Sequence, residues 1–376
     1  MKILSLDVET SIHNKGNPYD SRNKLVCYSG CSNYNEPWAE LWTNDTSSYL
    51  NEYLLDIDLV VGFNFKFDSH WLTKNELDLS KVKVWDVQIA EFILSCQTNR
   101  FPNLNDTCIK YGIPVKEDIV KTQYWDKGID TADIPWEILS SYAAHDASIT
   151  LQCYHAQIKL MTPQQIKLCQ LQCQDMMILM EMEQNGLPFD EELCQLRAVE
   201  LDDKISTINT ELTQIYPTVP INFGSNDHLS AFLYGGVVKE DGKEHIGFFK
   251  SGVKAGQPKY KNIVIEHQLP RLYQPLKGSE MAKEGNFATD EGTLRKLKGK
   301  KGVLDKILEL SKLEKLNGTY YRGLTKLREE MYWEKGVLHG QFNQTTAISG
   351  RLSSSKPNLQ NFATELQDIF ISRYND

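Results

Sequence analysis

Along the first 150 residues, short apolar runs alternate with amphipathic stretches. Residues 1–8, 24–29 and 38–42 read as strands, as does the run Leu59-Val60-Val61-Gly62-Phe63. Helical spacing predicts helices over 49–55, 86–96 and 104–111, and another that starts at Ile134-Pro135-Trp136 and continues beyond Asp146. This alternation predicts an α/β module, a mixed sheet with helices packed on it. From Thr162-Pro163 the period changes. Threonine suits a helix cap and proline the first helical position, and the Leu-, Ile- and Met-rich stretch that follows runs to Asn185-Gly186. Residues 190–216 form a second long helix, with Leu201, Ile205, Ile208, Leu212 and Ile215 on one stripe. Residues 236–283 hold Gly, Lys and short β-prone pieces, an irregular or hairpin insertion. Helices resume over 290–330, and 336–344 resembles a strand. The expected division is 1–162, then a mainly helical 163–332 with its insertion near 236–283, then 333–376.

Composition narrows the class. The chain has 376 residues, 41% hydrophobic and 24% charged, which excludes a wholly disordered chain. No run approaches the roughly 20 apolar residues of a membrane span, and the first residues open into a strand, not a signal peptide, so a cytosolic location is expected. The net charge of -9 is unevenly distributed: residues 1–150 carry 13 basic and 22 acidic residues, which accounts for all of it. Residues 277–328 hold 13 basic and 7 acidic residues, including the run Arg295-Lys296-Leu297-Lys298-Gly299-Lys300-Lys301. An acidic front half argues against a broad duplex-coating surface but can concentrate metal-binding carboxylates. The basic stretch can meet phosphates, or serve as a solvated helix end. The eight cysteines lack the spacing of a zinc site or a disulfide framework and read as small hydrophobes.

Three segments carry chemistry. In Leu6-Asp7-Val8-Glu9-Thr10, period two puts Asp7 and Glu9 on one side of a strand, where they repel unless a cation or proton intervenes. Taken alone, this pair also fits a surface edge with incidental charges. Val61 to Asp68 is a hydrophobic run ending in an acid. In Ser141-Tyr142-Ala143-Ala144-His145-Asp146, Tyr142 and Asp146 share a helix face. If folding brings the three together, Asp7, Glu9, Asp68 and Asp146 supply oxygen ligands for two divalent cations, Mg²⁺ or Mn²⁺. Such ions activate water and stabilise in-line displacement at a phosphodiester. Tyr142 would position the water, because a phenol with an ordinary pKa near 10 is a poor free base. Glu9 would accept a hydrogen bond from a terminal 3′-hydroxyl.

LDVET, NFKFD and YAAHD resemble the three motifs of the DEDD exonuclease superfamily, and Tyr142-x-x-x-Asp146 resembles its tyrosine subgroup. The resemblance implies a ribonuclease H-like fold and places Thr10, Asn64 and Phe67 near the bound strand. His145 is left a local packing or hydrogen-bonding role. Residues 345–361, TTAISGRLSSSKPNLQN, resemble the family A DNA polymerase segment TxTGRLSSxxPNLQN, with Ala347 and Ser349 where two threonines are usual. Residues 287–327 resemble the thumb of that family, as does Ile221-Asn222-Phe223 with its following segment. The resemblance implies that Arg351, Gln360 and Asn361 contact the primer terminus and that Lys296, Lys298, Lys300 and Lys301 meet phosphates. It further implies 3′→5′ proofreading that releases deoxynucleoside 5′-monophosphates from single-stranded or frayed ends, and a thumb that grips primer–template DNA.

The sequence ends just before the first polymerase aspartate of the family pattern, so the palm is incomplete and no polymerisation is expected from this chain alone. A split polymerase, with fingers and catalytic palm on a second polypeptide, is one expectation and a truncation the other. The insertion points to a bacteriophage source and hence a host-cell cytoplasm. Two other functions fit parts of the pattern: an RNase D-like exoribonuclease, and a non-catalytic DNA-binding assembly subunit.

Overall fold

The computed structural model describes residues 1–115, 119–252, 254, 256–299 and 301–373. It divides into two compact units: Met1–Glu191 with Leu324–Asp376, and Glu192–Gly323.

The first unit is built on a five-stranded sheet. Its strands are β1 (Ile3–Thr10), β2 (Leu25–Ser32), β3 (Trp38–Leu41), β4 (Leu59–Gly62) and β5 (Val84–Asp86). Their order is β3-β2-β1-β4-β5. β2 runs antiparallel to β1 and β3, whereas β4 runs parallel to β1 and β5. β1 is central and covered on both faces, so Leu4 and Leu6 are fully buried and even the polar Ser5, Glu9 and Thr10 are buried. Seven helices accompany the sheet: α1 (Thr46–Leu54), α2 (Phe65–Lys74), α3 (Val87–Leu94), α4 (Leu104–Lys110), α5 (Ile119–Gln123), α6 (Trp136–Leu160) and α7 (Pro163–Asn185). α6 packs along β1, β2, β3 and β4, while α7 packs on β5, α2 and α3. The mixed α/β class expected from periodicity is the observed one.

Local rules account for the ends of α7. The Thr162 hydroxyl accepts from the Gln165 amide at 3.3 Å and the Gln165 side chain accepts from the Thr162 amide at 2.9 Å, a capping box followed by Pro163. Gly186 closes the helix at φ 63°, where a Cβ would lie 2.6 Å from Val337. Its Cys169 and Cys173 are buried in the core, in keeping with their expected role as small hydrophobes. A two-residue strand β6 (Leu187–Pro188) follows.

The second unit contains α8 (Glu191–Thr213), α9 (Asn226–Tyr234) and a ribbon of β7 (Gly236–Phe248) and β8 (Pro258–Leu269). Then come α10 (Glu291–Leu294), α11 (Lys301–Lys315), a π-helical turn (Leu316–Tyr321) and α12 (Arg322–Glu330). Its core joins Ile208 and Leu212 of α8, Phe232 and Leu233 of α9, and Leu304, Ile307 and Leu310 of α11. Only the base of the ribbon enters it, through Val238 and Leu269.

The chain re-enters the first unit near Leu324. Arg328 donates to both Glu191 oxygens at 2.9 and 3.0 Å, and β9 (Val337–Leu338) pairs with β6. β10 (Gln341–Asn343) pairs with β11 (Ser353–Ser355). The single strand expected over 336–344 is thus two short ones. Between them the His339 ring is drawn onto the Glu183 carbonyl, with 2.8 Å between Nδ1 and the oxygen. The run ending at Asp68 spans two elements: Gly62 ends β4, and Phe65 already belongs to α2.

Candidate active site

β4 and the first half of β1 run parallel, with Ser5 opposite Val61, so β4 ends while β1 continues into Asp7 and Glu9. The chain then turns sharply. Gly62 sits where a Cβ would meet the Phe65 ring at 2.3 Å, and Asn64 takes the left-handed conformation at φ 55°. This turn starts α2 at the carboxyl edge of the parallel strands, the edge at which open α/β sheets bind ligands. Asp68 lies in the first turn of α2, and its Oδ1 accepts from the Val8 amide at 3.0 Å. That bond ties the acid of the second motif to the strand of the first.

Asp7 comes close enough to Asp146, and Asp68 to Asp7, for their charges to repel. Burial, then repulsion from Asp146, holds the Asp7 carboxyl well above the usual carboxylate range. Burial, then repulsion from Asp7, raises Asp68, against the lowering effect of the Val8 amide. Glu9 shares the Asp7 face of β1: it pairs with Cys27 across the ladder, and after burial the charges of Glu9 and Asp7 push the Cys27 thiol up. Asp146 arrives on α6. One turn earlier Tyr142 packs edge-on against Trp125, with ring centroids 5.8 Å apart. Tyr142 and Asp146 line one cavity of about 350 Å³ with Asn103, Lys121 and His145. Lys121 and Asn103 fall outside every motif, so no signal in the sequence singled them out. His145, read from sequence as a packing residue, lines this same cavity.

Among the described residues, no three His, Cys, Asp or Glu side chains stand as a ready-made metal-ligating group. The donor chemistry fits a hard divalent cation all the same. A cation would relieve the repulsion that raises Asp7 and Asp68, and oxygen ligands suit Mg²⁺ or Mn²⁺.

The remaining expected contacts divide between the units. In the first, Thr10 is buried; its hydroxyl donates to the Ser11 carbonyl at 3.1 Å and its own carbonyl accepts from Thr131 at 2.6 Å. Asn64 and Phe67 line a second cavity of about 490 Å³, together with Lys15, Lys66 and Lys356. Arg351, Gln360 and Asn361 are exposed. In the second unit Lys296, Lys298 and Lys301 are exposed, and Lys300 lies outside the described residues.

α2 is held from behind by a buried charge cluster that sequence reasoning missed. Lys66 donates to Glu183 Oε1 at 2.6 Å and also to the Phe342 carbonyl; His70 Nε2 lies 2.7 Å from Glu183 Oε2. The Phe342 amide donates to Glu183 Oε1 at 2.6 Å. Burial alone would raise Glu183, but the His70 hydrogen bond and the Lys66 charge hold it below the usual range. These partners lie more than 100 residues apart in sequence, so no local pattern announces them.

Residues 1–161 match the family described as 3'-5' exonuclease, and residues 252–373 match DNA polymerase family A. The DNA polymerase I of Synechocystis sp. is 28% identical over 305 residues, covering 79% of this chain and 26% of that protein. That of Treponema pallidum is 26% identical over 309 residues, covering 80% and 26%. The thermostable DNA polymerase I of Thermus thermophilus is 29% identical over 184 residues, covering 49% and 17%. The chain thus spans about a quarter, or less, of the length of these relatives. Among solved structures, the POL domain of Pol1 from M. smegmatis, in complex with DNA primer-template and dNTP, superposes with a TM-score of 0.65. It is 18% identical, and the match covers 97% of this chain and 53% of that one, a likeness of fold. No helix among the described residues is long and apolar enough to cross a membrane. The motifs and the two family matches agree: residues 1–161 are similar to 3'-5' exonuclease domains, and residues 252–373 to family A DNA polymerases.

Proposed function

We propose that the acidic centre removes nucleotides from DNA 3′ ends as the proofreading part of a family A polymerase, releasing deoxynucleoside 5′-monophosphates. The observation that carries this reading is the gathering of Asp7, Asp68 and Asp146 at one sheet edge, with Tyr142 lining the same cavity as Asp146. Asp7, Glu9, Asp68 and Asp146 would hold two divalent cations, Mg²⁺ foremost, which supply an activated water and neutralise the charge that develops on phosphate. The chain's own residues do the rest. The Tyr142 hydroxyl orients the attacking water by hydrogen bonding, and Trp125 fixes the ring that carries it. Glu9 accepts a hydrogen bond from the 3′-hydroxyl, which selects an end over an interior bond. Asn64 and Phe67 steady the terminal nucleotide.

Three features support a DNA assignment: the polymerase-like segment over 345–361, the exposed Arg351, Gln360 and Asn361, and the exposed lysines of the second unit. On this reading the second unit grips primer–template DNA.

The test is digestion of 5′-labelled single-stranded DNA with Mg²⁺, beside a matched RNA and a DNA with a 3′-phosphate. The expected outcome is stepwise loss from the free DNA 3′ end, reduced on the order of 10³-fold or more by Asp7→Ala. Equal metal-dependent digestion by the variant would reject the site, and a strong RNA preference would reject the polymerase assignment.

A further inference from the structure

The ribbon of β7 and β8 has strands of 13 and 12 residues, about twice the usual length. Pairing continues to Phe248 opposite Pro258, and the turn is closed by bonds from the Phe249 amide to the Gln257 carbonyl at 3.0 Å and from the Gly256 amide to the Phe249 carbonyl at 2.9 Å. At about 3.4 Å per residue the ribbon is roughly 40 Å long. Its base is anchored in the core by Val238 and Leu269, while most of its length is exposed.

Charge is segregated along it. The stem carries Glu240, Asp241, Glu244 and Glu266 among Lys239 and Lys243. Across the ladder Lys261 faces Glu244 in the stem, and beyond that pair, from His245 to Tyr260, there are three lysines (Lys250, Lys254 and Lys259) and no aspartate or glutamate. Aromatic rings accompany them. The His245 ring lies 5.1 Å from Phe248 and 5.5 Å from Tyr260, and the Lys259 ammonium lies 5.8 Å from the Phe249 ring centre. Phe248 is 61% exposed and Tyr260 53%, a large apolar area to leave in water.

We propose that the tip of this ribbon is a DNA-contacting finger, in which the three lysines meet backbone phosphates and Phe248 and Tyr260 rest on sugars or bases. Lysine without acidic neighbours suits a polyanion, whereas lysine is depleted at protein–protein interfaces. Exposed rings interleaved with cations form the surface that single strands and frayed ends stack on. The stem acids keep the anion away from the base, so contact is confined to the end of the lever. This inference rests on the reading that the second unit grips DNA and adds a separate point of contact, about 40 Å of ribbon from the core.

The full chain is titrated into fluorescein-labelled primer–template DNA with blocked 3′ ends, from about 50 to about 300 mM salt. Three proteins are compared: the natural sequence; the tip variant carrying Lys250→Ala, Lys254→Ala and Lys259→Ala; and the stem variant carrying Lys239→Ala, Lys243→Ala and Lys261→Ala. All the changed lysines are exposed, so thermal melting should be unaltered. The tip variant should bind about 10-fold more weakly, with a log–log salt slope reduced by about 2–3, and the stem variant should bind as the natural protein does. Phe248→Ala with Tyr260→Ala should weaken binding several-fold and leave the slope unchanged. A tip variant with natural affinity and slope would overturn the inference, as would equal losses from tip and stem. A protein captured by the natural tip but not by the variant, with DNA affinity equal in both, would replace DNA by a protein as the occupant and overturn it too. If the natural protein failed to bind the duplex, the DNA-grip reading would fall with the inference. If it binds and digests single strands while the tip changes do nothing, only the inference falls.

Discussion

The acidic centre at the sheet edge and the lysine-bearing ribbon tip are both read as surfaces for the same polyanion, yet they are built in opposite ways. The centre places like charges in a largely buried site and ties down the elements that carry Asp7 and Asp68. Asp68 accepts from the Val8 amide, α2 is held through Lys66 and His70 on Glu183, and the first strand is pinned by Thr131 on the Thr10 carbonyl. Such a site costs stability in the metal-free protein and gains chemistry from it. The ribbon tip leaves its charges in solvent, where each costs little and contributes little. Binding spread over many exposed cations degrades gradually, whereas a catalytic site built from a few buried acids fails when one is removed.

Removing the anchor of the centre should have the largest effect. Glu183→Gln strips Lys66 and His70 of their buried partner and should destabilise the chain by roughly 3 kcal/mol in chemical denaturation at neutral pH. The sign of the pH dependence follows from the lowered Glu183 pKa. The stability it contributes is complete above its ordinary value of 4.5 and is lost as pH falls through the folded value, so natural and variant curves should converge below that pH. Curves that stay parallel down to unfolding would remove Glu183 from the account.

Next in size is Tyr142→Phe, which keeps the ring against Trp125 and deletes only the hydroxyl. Digestion of single-stranded DNA should slow by about 10–100-fold, with DNA affinity and melting temperature unchanged. An unaltered rate would show that the hydroxyl does not position water. The smallest effect belongs to the solvated side of the comparison. Lys296→Ala should weaken primer–template binding by no more than about twofold and lower the salt slope by at most about one. A tenfold loss from this one exposed lysine would mean that the second unit concentrates its grip as the acidic centre does.

Much of the site was legible because its logic is local. Asp7 and Glu9 lie two apart on a strand and share a face; Tyr142 and Asp146 lie four apart on a helix and line one cavity. The capping box at Thr162 and Gln165 was readable for the same reason. Other features were not. Val61 to Asp68 reads as one hydrophobic run, and only the turn at Gly62 and Asn64 shows a helix beginning at Phe65. Asp86 looks like any acid between apolar residues. In the fold it is buried, caps α3 through the Ile89 amide at 2.8 Å and accepts from the Phe65 amide at 2.7 Å, and burial pushes it up to about 6.

By itself the sequence determined the alternation of strands and helices in the first 160 residues, the faces shared by Asp7 with Glu9 and by Tyr142 with Asp146, and the order of the motifs, because backbone periodicity fixes side-chain direction over two to four residues. Only the tertiary structure decided that Asp68 meets the Val8 amide 60 residues away, that Glu183 anchors α2 and that the ribbon leaves its lysines in solvent. Those outcomes depend on which surfaces a folded chain brings together, and burial, repulsion and hydrogen-bond partnership exist only once it has done so.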